Sequence, residues 1–248
     1  MTIGEKSMNR SNGICRIIID GNHNIWYDLT MKELKDLNTE YDKMQKEYGS
    51  KKLHSIYNGG CEHMPNLFFV FMNPTGKNVA SLPDWTGIRA PWIGTKRIWE
   101  LFVRVGLFDE MLYNEIKGKR PEEWTPNFAA KVYKEVADNR CFISNFAKCT
   151  QDDAKKVSDT VYKQYLPLLM DEIQITRPRK VVLFGNQVST LFLGEKISVS
   201  KSRKKSYNRI IGNSSTKCYP VFYPVGNGYM NIDKAVEDLK WIIEETGD

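Results

Sequence analysis

Three apolar runs, far apart in the chain, each end in polar residues and a turn. The runs at residues 68–72, 141–143 and 219–222 continue, in that order, into Asn73-Pro74-Thr75-Gly76, Ser144-Asn145 and Tyr223-Pro224-Val225-Gly226. Apolar runs of this length, stopped by proline and glycine, are typical of buried strands. Because ligands of open α/β sheets bind beyond the carboxyl ends of the strands, we expect these three ends to converge on one pocket.

Composition limits the classes of protein that the chain can belong to. Its 248 residues indicate one large domain, or a domain with an appendage, and 36 Lys and Arg against 30 Asp and Glu make it mildly basic. A polyanionic partner is therefore permitted but not required. No apolar run is long enough for a membrane-spanning helix, and the polar start is unlike a signal peptide.

The cysteines and histidines give no sign of a cross-linked or metal-binding protein. The five cysteines are irregularly spaced, and the three histidines match no zinc motif. We therefore predict no disulfide framework, no metal site and a reducing, cytoplasmic location.

Strands that alternate with helices predict an α/β fold, here a three-layer α/β/α sandwich around a central, mainly parallel sheet of about four strands. Residues 1–60 are expected to form an N-terminal extension: a frayed start over 1–12, a hairpin with strands at 16–19 and 24–28, and an amphipathic helix. A capping box at Thr30 and Glu33 would start that helix, and Gly49 would end it. Residues 61–248 would form the α/β domain. A kink or break is expected at Pro167, inside a long helix over 153–176.

The order of these parts resembles the uracil-DNA glycosylase superfamily over roughly residues 66–245. Residues 71–76 (Phe-Met-Asn-Pro-Thr-Gly) resemble the first motif of its mismatch-specific and single-strand-selective branches, with one extra residue before the glycine. Residues 94–101 with 105–107 resemble the helix that follows, 142–145 the strand whose terminal Asn reads the base, and 177–185 a later strand ending in glycine. Residues 223–226 occupy the place of the third motif.

This resemblance implies a monofunctional DNA glycosylase that acts on DNA containing uracil or another deaminated base, with water as the nucleophile and no cofactor. It also suggests a monomer, nucleoid-associated if the source is prokaryotic. Three departures stand out. Tyr223 occupies the position of a common catalytic His, and Val225 replaces a Ser that often contacts phosphate. Cys149 matches one of the four ligands of the iron–sulfur branch, but the other three have no counterpart, so no cluster is expected.

By resemblance, Asn73 positions the water and Tyr223 hydrogen-bonds the departing base. Asn145 would pair with the base edge, since a carboxamide offers both a donor and an acceptor. Trp92 or Trp85 would stack on the base, with Met72 beside it. The alternatives are a turn initiator for Asn73, a strand-closing cap for Asn145 and core positions for the tryptophans.

A second set of residues is predicted to contact DNA. Basic residues would bind phosphates, and the loop after the third motif would wedge into the duplex. The set consists of Thr75, Lys148, Lys201, Arg203, Lys204, Lys205, Asn227, Tyr229 and Met230. For the basic residues the alternative is a solvated loop, and for the wedge an ordinary tight turn.

Two other functions remain open from the sequence. A nucleic-acid-binding protein could have kept the fold and lost catalysis, as the missing His suggests. A hydrolase of free nucleosides or nucleotides would need a closed pocket and would not bind oligonucleotides.

Overall fold

The computed structural model describes residues 6–10, 13–19, 25–30, 32–154 and 157–245. Within these ranges the fold is α/β, as predicted, with two sheets and eight α-helices. The strands are β1 (Lys6–Arg10), β2 (Gly13–Ile19), β3 (Ile25–Thr30), β4 (Asn58–Gly60), β5 (Leu67–Phe71), β6 (Cys141–Asn145), β7 (Lys180–Phe184), β8 (Tyr207–Ile211) and β9 (Ser214–Val221). The helices are α1 (Asn38–Tyr48), α2 (Arg97–Arg104), α3 (Glu110–Gly118), α4 (Pro126–Asp138), α5 (Asp159–Thr176), α6 (Asn186–Leu193), α7 (Val199–Ser202) and α8 (Ile232–Glu244).

The main sheet is mixed and has six strands in the order β4-β6-β5-β7-β9-β8. The four inner strands run parallel, and β5 pairs with β6 in a register from Leu67 beside Cys141 to Phe71 beside Asn145. Both edge strands, β4 and β8, are antiparallel to their neighbours. The prediction of about four strands therefore missed the edges, because β4 is only Asn-Gly-Gly and β8 lies within residues 197–211, the basic tract that contains Lys201, Arg203, Lys204, Lys205 and Arg209.

Apolar side chains cover the main sheet on both faces. Every residue of β5 and of β6 is buried, which is the pattern of strands packed on two sides. One hydrophobic cluster joins alternate strand residues such as Phe69 and Phe71 to α2, α3, α4 and α8. The other joins Phe68 and Val70 to α1, α5 and α6. Helix side chains thus pack against both faces of the inner strands, whose carboxyl ends lie at the same edge of the sheet.

The N-terminal segment differs from the prediction in detail. The hairpin is present as β2 and β3, but residues 6–10, expected to be frayed, form a third antiparallel strand. The expected turn at residues 20–22 lies outside the described residues. Thr30 ends β3 and does not cap a helix. The capping box uses Glu33 and Asp36 instead, and a 3₁₀ turn at Leu34–Leu37 precedes α1.

The predicted boundary at residue 60 falls inside the main sheet, because β4 is its edge strand. Helix α1 is also joined to the loop that follows β6: the Gln45 side chain accepts a hydrogen bond from the Thr150 backbone amide at 2.7 Å and donates to the Thr150 carbonyl at 3.3 Å. Residues 32–60 therefore belong to the α/β unit.

Pro167 does not break α5, which runs from Asp159 to Thr176 as one helix. Pro167 and Lys163, whose carbonyl loses its intrahelical donor, are both exposed, so water can satisfy that carbonyl. In the described part of the chain, no helix has the length and apolar character needed to cross a membrane.

Candidate active site at the strand ends

The loops that leave β5 and β6 run side by side beyond the sheet. The Phe146 amide donates to the Phe71 carbonyl at 2.7 Å, and the Ala147 amide to the Met72 carbonyl at 3.2 Å. Further out, Thr75 forms a parallel bridge with Gln151. These backbone bonds fix the positions from which Asn73 and Asn145 extend. The site is therefore built on rigid backbone.

Phe71 is the centre of the site. Its ring is fully buried and stacks on Phe184 at 4.3 Å between centroids. Trp92 meets it edge-on at 5.0 Å, and Tyr223 at 6.4 Å. The ends of β5, β7 and β9 and the loop containing Trp92 therefore meet around one ring. Of the predicted site residues, Trp92 and Tyr223 are those whose rings contact Phe71.

Asn145 lies beside Phe71 in the parallel ladder, so both side chains point to the face covered by α2, α4 and α8. Asn145 is 2% exposed, and its side-chain amide nitrogen, Nδ2, has no hydrogen-bond partner among the described residues. The same holds for the indole nitrogen of Trp92. Buried donors are normally paired, because leaving one unpaired costs about 1–3 kcal/mol. Two such donors therefore lie near Phe71, and both could donate to a ligand with acceptor atoms.

Trp92 adopts an uncommon backbone conformation, with a φ of 68°. A bulky residue at positive φ is a genuine outlier, and such strain clusters at functional sites. The side chain is half-buried, and the Trp92 carbonyl accepts from the Thr95 hydroxyl at 2.7 Å. The loop therefore holds the ring edge-on to Phe71 with part of its surface open.

Asn73 lies two residues after the end of β5 and is half-buried. Its side-chain nitrogen donates to the Pro74 carbonyl at 3.1 Å, and its side-chain oxygen accepts from the Tyr162 hydroxyl at 3.0 Å. A carbonyl oxygen has two lone pairs, so a second donor, such as a water, can still bind there.

Tyr223 follows β9 and packs beside Gly185, where an added Cβ would lie 3.5 Å from the Tyr223 Cβ. Gly185 has a φ of 92°, which a side chain would strain. Burial raises the pKa of the Tyr223 phenol well above its ordinary value. It also raises the pKa of Tyr162, an effect to which the nearby Tyr223 adds. Both phenols are thus neutral hydrogen-bond donors at physiological pH.

Lys148 does not face a phosphate, contrary to the prediction. Its side chain is 1% exposed and forms an ion pair at 2.9 Å with Glu172, which is completely buried. The ammonium also donates to the Ser144 hydroxyl and, at 2.6 Å, to the Asn145 carbonyl. Burial lowers the pKa of Lys148, while Glu172 opposes that effect. The buried ammonium of Lys148 therefore stabilises the backbone at the carboxyl end of β6.

The basic tract is only partly available to a polyanion. Arg203 pairs with Glu237 at 2.6 Å and with the buried Asp238 at 2.8 Å, so its predicted phosphate contact is not supported. The exposed cations of the tract are Lys201, Lys204 and Lys205.

The loop after β9 is clamped to α2. Arg97 lies over the Tyr229 ring at 4.8 Å, and the Tyr229 hydroxyl donates to Glu100 at 3.1 Å. Tyr229 is therefore anchored to the protein, which does not suit a wedge residue. Met230 is 91% exposed and Asn227 is also exposed.

The remaining predicted residues are less closely tied to Phe71. The Trp85 indole donates to the Ile88 carbonyl at 3.0 Å, and the ring packs on the core. Among the described residues, it forms no ring contact with Phe71. Met72 packs against the opposite hydrophobic cluster, and half-buried Thr75 forms its bridge to Gln151.

Two polar residues near the strand ends were missed from sequence. Tyr162 contacts Asn73 from α5. Gln187, at the start of α6, donates to Asp159 at 2.6 Å, while its buried side-chain oxygen has no partner in the described part of the chain. The position of Gln187, a polar residue shortly after the end of β7, was a signal that could have predicted its place near the strand ends. Tyr162 carried no such signal, because tyrosines at helical spacing are usually core.

Two surface grooves lie elsewhere, on helical faces. One, of about 300 Å³, is between α1 and α5, and the other, of about 390 Å³, is between α3 and α4. Neither is lined by strand-end residues, so they are separate from the cluster around Phe71.

Comparison of the chain with protein-family models and with curated proteins finds no match. The functional interpretation of the strand ends therefore depends on their geometry and chemistry.

Proposed function

We propose that this protein is a monofunctional DNA glycosylase that removes uracil or a related deaminated base by hydrolysis of the N-glycosidic bond. We also propose that its sheet and helices form the three-layer sandwich of the uracil-DNA glycosylase superfamily. The observation that carries the proposal is the grouping around Phe71 of a neutral phenol and two unpaired buried donors, with the half-buried carboxamide of Asn73 two residues further along the chain.

The proposed chemistry assigns one task to each group. Hydrolysis builds positive charge on the sugar and negative charge on the base, and the base must leave the stack. Asn73 would hold the water through the free lone pair of its side-chain oxygen. The amide of Asn145 and the hydroxyl of Tyr223 would donate to the base oxygens, and Trp92 would stack on the base. Met230 would fill the space that the base leaves in the duplex.

The direct test is to incubate the protein with single- and double-stranded oligonucleotides containing uracil, hypoxanthine or xanthine, followed by alkali. Strand cleavage at the modified base is expected for at least one substrate. A lack of abasic sites with all three would defeat the enzymatic proposal. The neutral donor at Tyr223 favours one alternative, a catalytically silent binder, which would retain these oligonucleotides without releasing a base.

Trp92→Ala is expected to weaken binding of a uracil-containing single strand by about 1–3 kcal/mol, because base–aromatic stacking contributes that much per base. Fluorescence anisotropy titration measures the effect. Trp92→Phe is the matched control, since it keeps an aromatic ring and the same positive φ, and it should retain most of the affinity. Trp85→Ala should bind like wild type. Equal affinities for Trp92→Ala and wild type would remove Trp92 from the proposed site.

Tyr223→Phe is expected to lower the rate of base release by about 10-fold, which is the value of roughly one neutral hydrogen bond. The shape of the rate profile between pH 6 and pH 9 should not change. Burial raises the pKa of Tyr223, so the wild-type phenol keeps its proton throughout this range. A basic limb near pH 8 that disappears in Tyr223→Phe would show instead that the phenol ionises.

Replacement of Lys201, Lys204 and Lys205 by Gln is expected to make DNA binding less sensitive to salt. Each lost phosphate contact should reduce the slope of log K against log[salt] by about 0.7–0.9. Arg203→Gln should leave that slope unchanged, because Arg203 is paired with Glu237 and Asp238. A steeper loss for Arg203→Gln than for the triple variant would reverse this assignment.

A further inference from the structure

The carboxamide of Asn73 is held in one orientation by two contacts of different kinds. The Pro74 carbonyl can only accept, so the side-chain nitrogen of Asn73 must face it, at 3.1 Å. This leaves the side-chain oxygen facing the Tyr162 hydroxyl at 3.0 Å. A hydroxyl can donate or accept, and beside an oxygen it donates. Flipping the amide would set two oxygens against each other at Pro74.

Tyr162 is itself rigidly placed. It is fully buried, its amide donates to the Ser158 carbonyl at 3.2 Å in the first turn of α5, and its ring meets Phe146 edge-on at 5.2 Å. The Phe146 amide in turn donates to the Phe71 carbonyl. The Tyr162 hydroxyl therefore belongs to a ring that packs on Phe146, and the backbone of Phe146 joins the ends of β5 and β6.

A tyrosine hydroxyl in such a buried place is costly unless it is hydrogen-bonded. Asn73 is the one side chain in the described ranges with which this hydroxyl forms a hydrogen bond. A phenylalanine would fill the same volume with no polar group to satisfy. The hydrogen bond that the Tyr162 hydroxyl donates to Asn73 therefore accounts for a tyrosine rather than a phenylalanine at this position.

We propose that Tyr162 is a positioning residue, which fixes the carboxamide of Asn73 so that the second lone pair of its oxygen is presented to the attacking water. The inference rests on the proposed function for its catalytic consequence, but the contact itself can be tested separately. Tyr162 touches neither base nor sugar in this scheme and acts through Asn73.

Steady-state kinetics give the first test. Tyr162→Phe should lower kcat by about 10–100-fold and leave KM within about twofold, because water positioning matters in the transition state rather than in binding. Tyr165→Phe is the matched control: it is one turn further along α5 and equally buried, but it does not contact Asn73. It should keep kcat within about twofold of wild type. Equal kcat values for the two variants would overturn the proposal.

A titration gives the second test and does not require activity. In Asn73→Asp, the Tyr162 hydroxyl would donate to the introduced carboxylate and lower its pKa. Adding Tyr162→Phe should raise that pKa by about one unit, as followed by ¹³C NMR of the carboxyl carbon. The addition of Tyr165→Phe should leave it unchanged.

The two tests separate the two claims. If wild-type protein releases no base from any substrate, the proposed function fails, and the titration still decides whether Tyr162 holds residue 73. If the titration shows the same pKa with and without Tyr162, the inference fails even when the enzyme is active.

Discussion

Asn73→Ala is expected to reduce base release by about 10²–10³-fold, the effect of removing one preorganised polar group from a reaction centre. The reason is geometric: the Asn73 oxygen is fixed by Tyr162 at 3.0 Å and retains one lone pair for a water. Without it, the water has no partner at the end of β5. Single-turnover cleavage of a uracil-containing oligonucleotide measures this loss.

The same variant should bind DNA as tightly as wild type, because Asn73 is assigned no contact with the strand. Asn114→Ala, on the exposed face of α3, is the matched control and should change neither rate nor affinity. An Asn73→Ala protein with wild-type activity would leave only the turn-forming role to Asn73 and remove it from the proposed mechanism.

Lys148→Met is expected to lower the free energy of unfolding by about 3–5 kcal/mol, which is the usual result of removing one member of a buried ion pair. The loss arises because Glu172 stays buried with its charge no longer compensated, although Ser144 and Asn58 still donate to it at 2.7 and 2.6 Å. Denaturant unfolding followed by tryptophan fluorescence measures the change.

A double variant separates charge from packing. Lys148→Met with Glu172→Gln removes both charges and keeps an amide for Ser144 and Asn58, so it should recover at least about 1 kcal/mol of the loss. Lys134→Met is the control: this lysine pairs with Asp138 on the surface, and its loss should cost less than about 1 kcal/mol. A Lys148→Met protein as stable as Lys134→Met would contradict the buried ion pair.

The inner strands were predictable because their signal is local. Residues 67–72 form an apolar run bounded by Pro74 and Gly76, and β5 occupies Leu67–Phe71. The edge strands were not predictable, because β4 and β8 contain polar or small residues and are strands only by pairing with β6 and β9. Edge pairing depends on backbone N–H and C=O groups. Because every sequence has these groups, such pairing leaves no pattern of side chains from which it could be predicted.

Lys148 shows where local inference fails. A lysine is almost never fully buried unless it is paired, so a basic residue near a predicted site was assigned to the surface. Its burial depends on Glu172, 24 residues further along the chain on α5. The same holds for Arg203, whose partners lie on α8.

The amino-acid sequence by itself determined which segments become buried strands and which polar residues follow them, since hydrophobic runs and turn residues act over a few positions. The tertiary structure decided which partner each of those residues meets. Tyr162 holding Asn73, Lys148 paired with Glu172 and Trp92 set against Phe71 all join segments that are far apart in the chain, and such contacts follow from tertiary packing rather than from any local pattern.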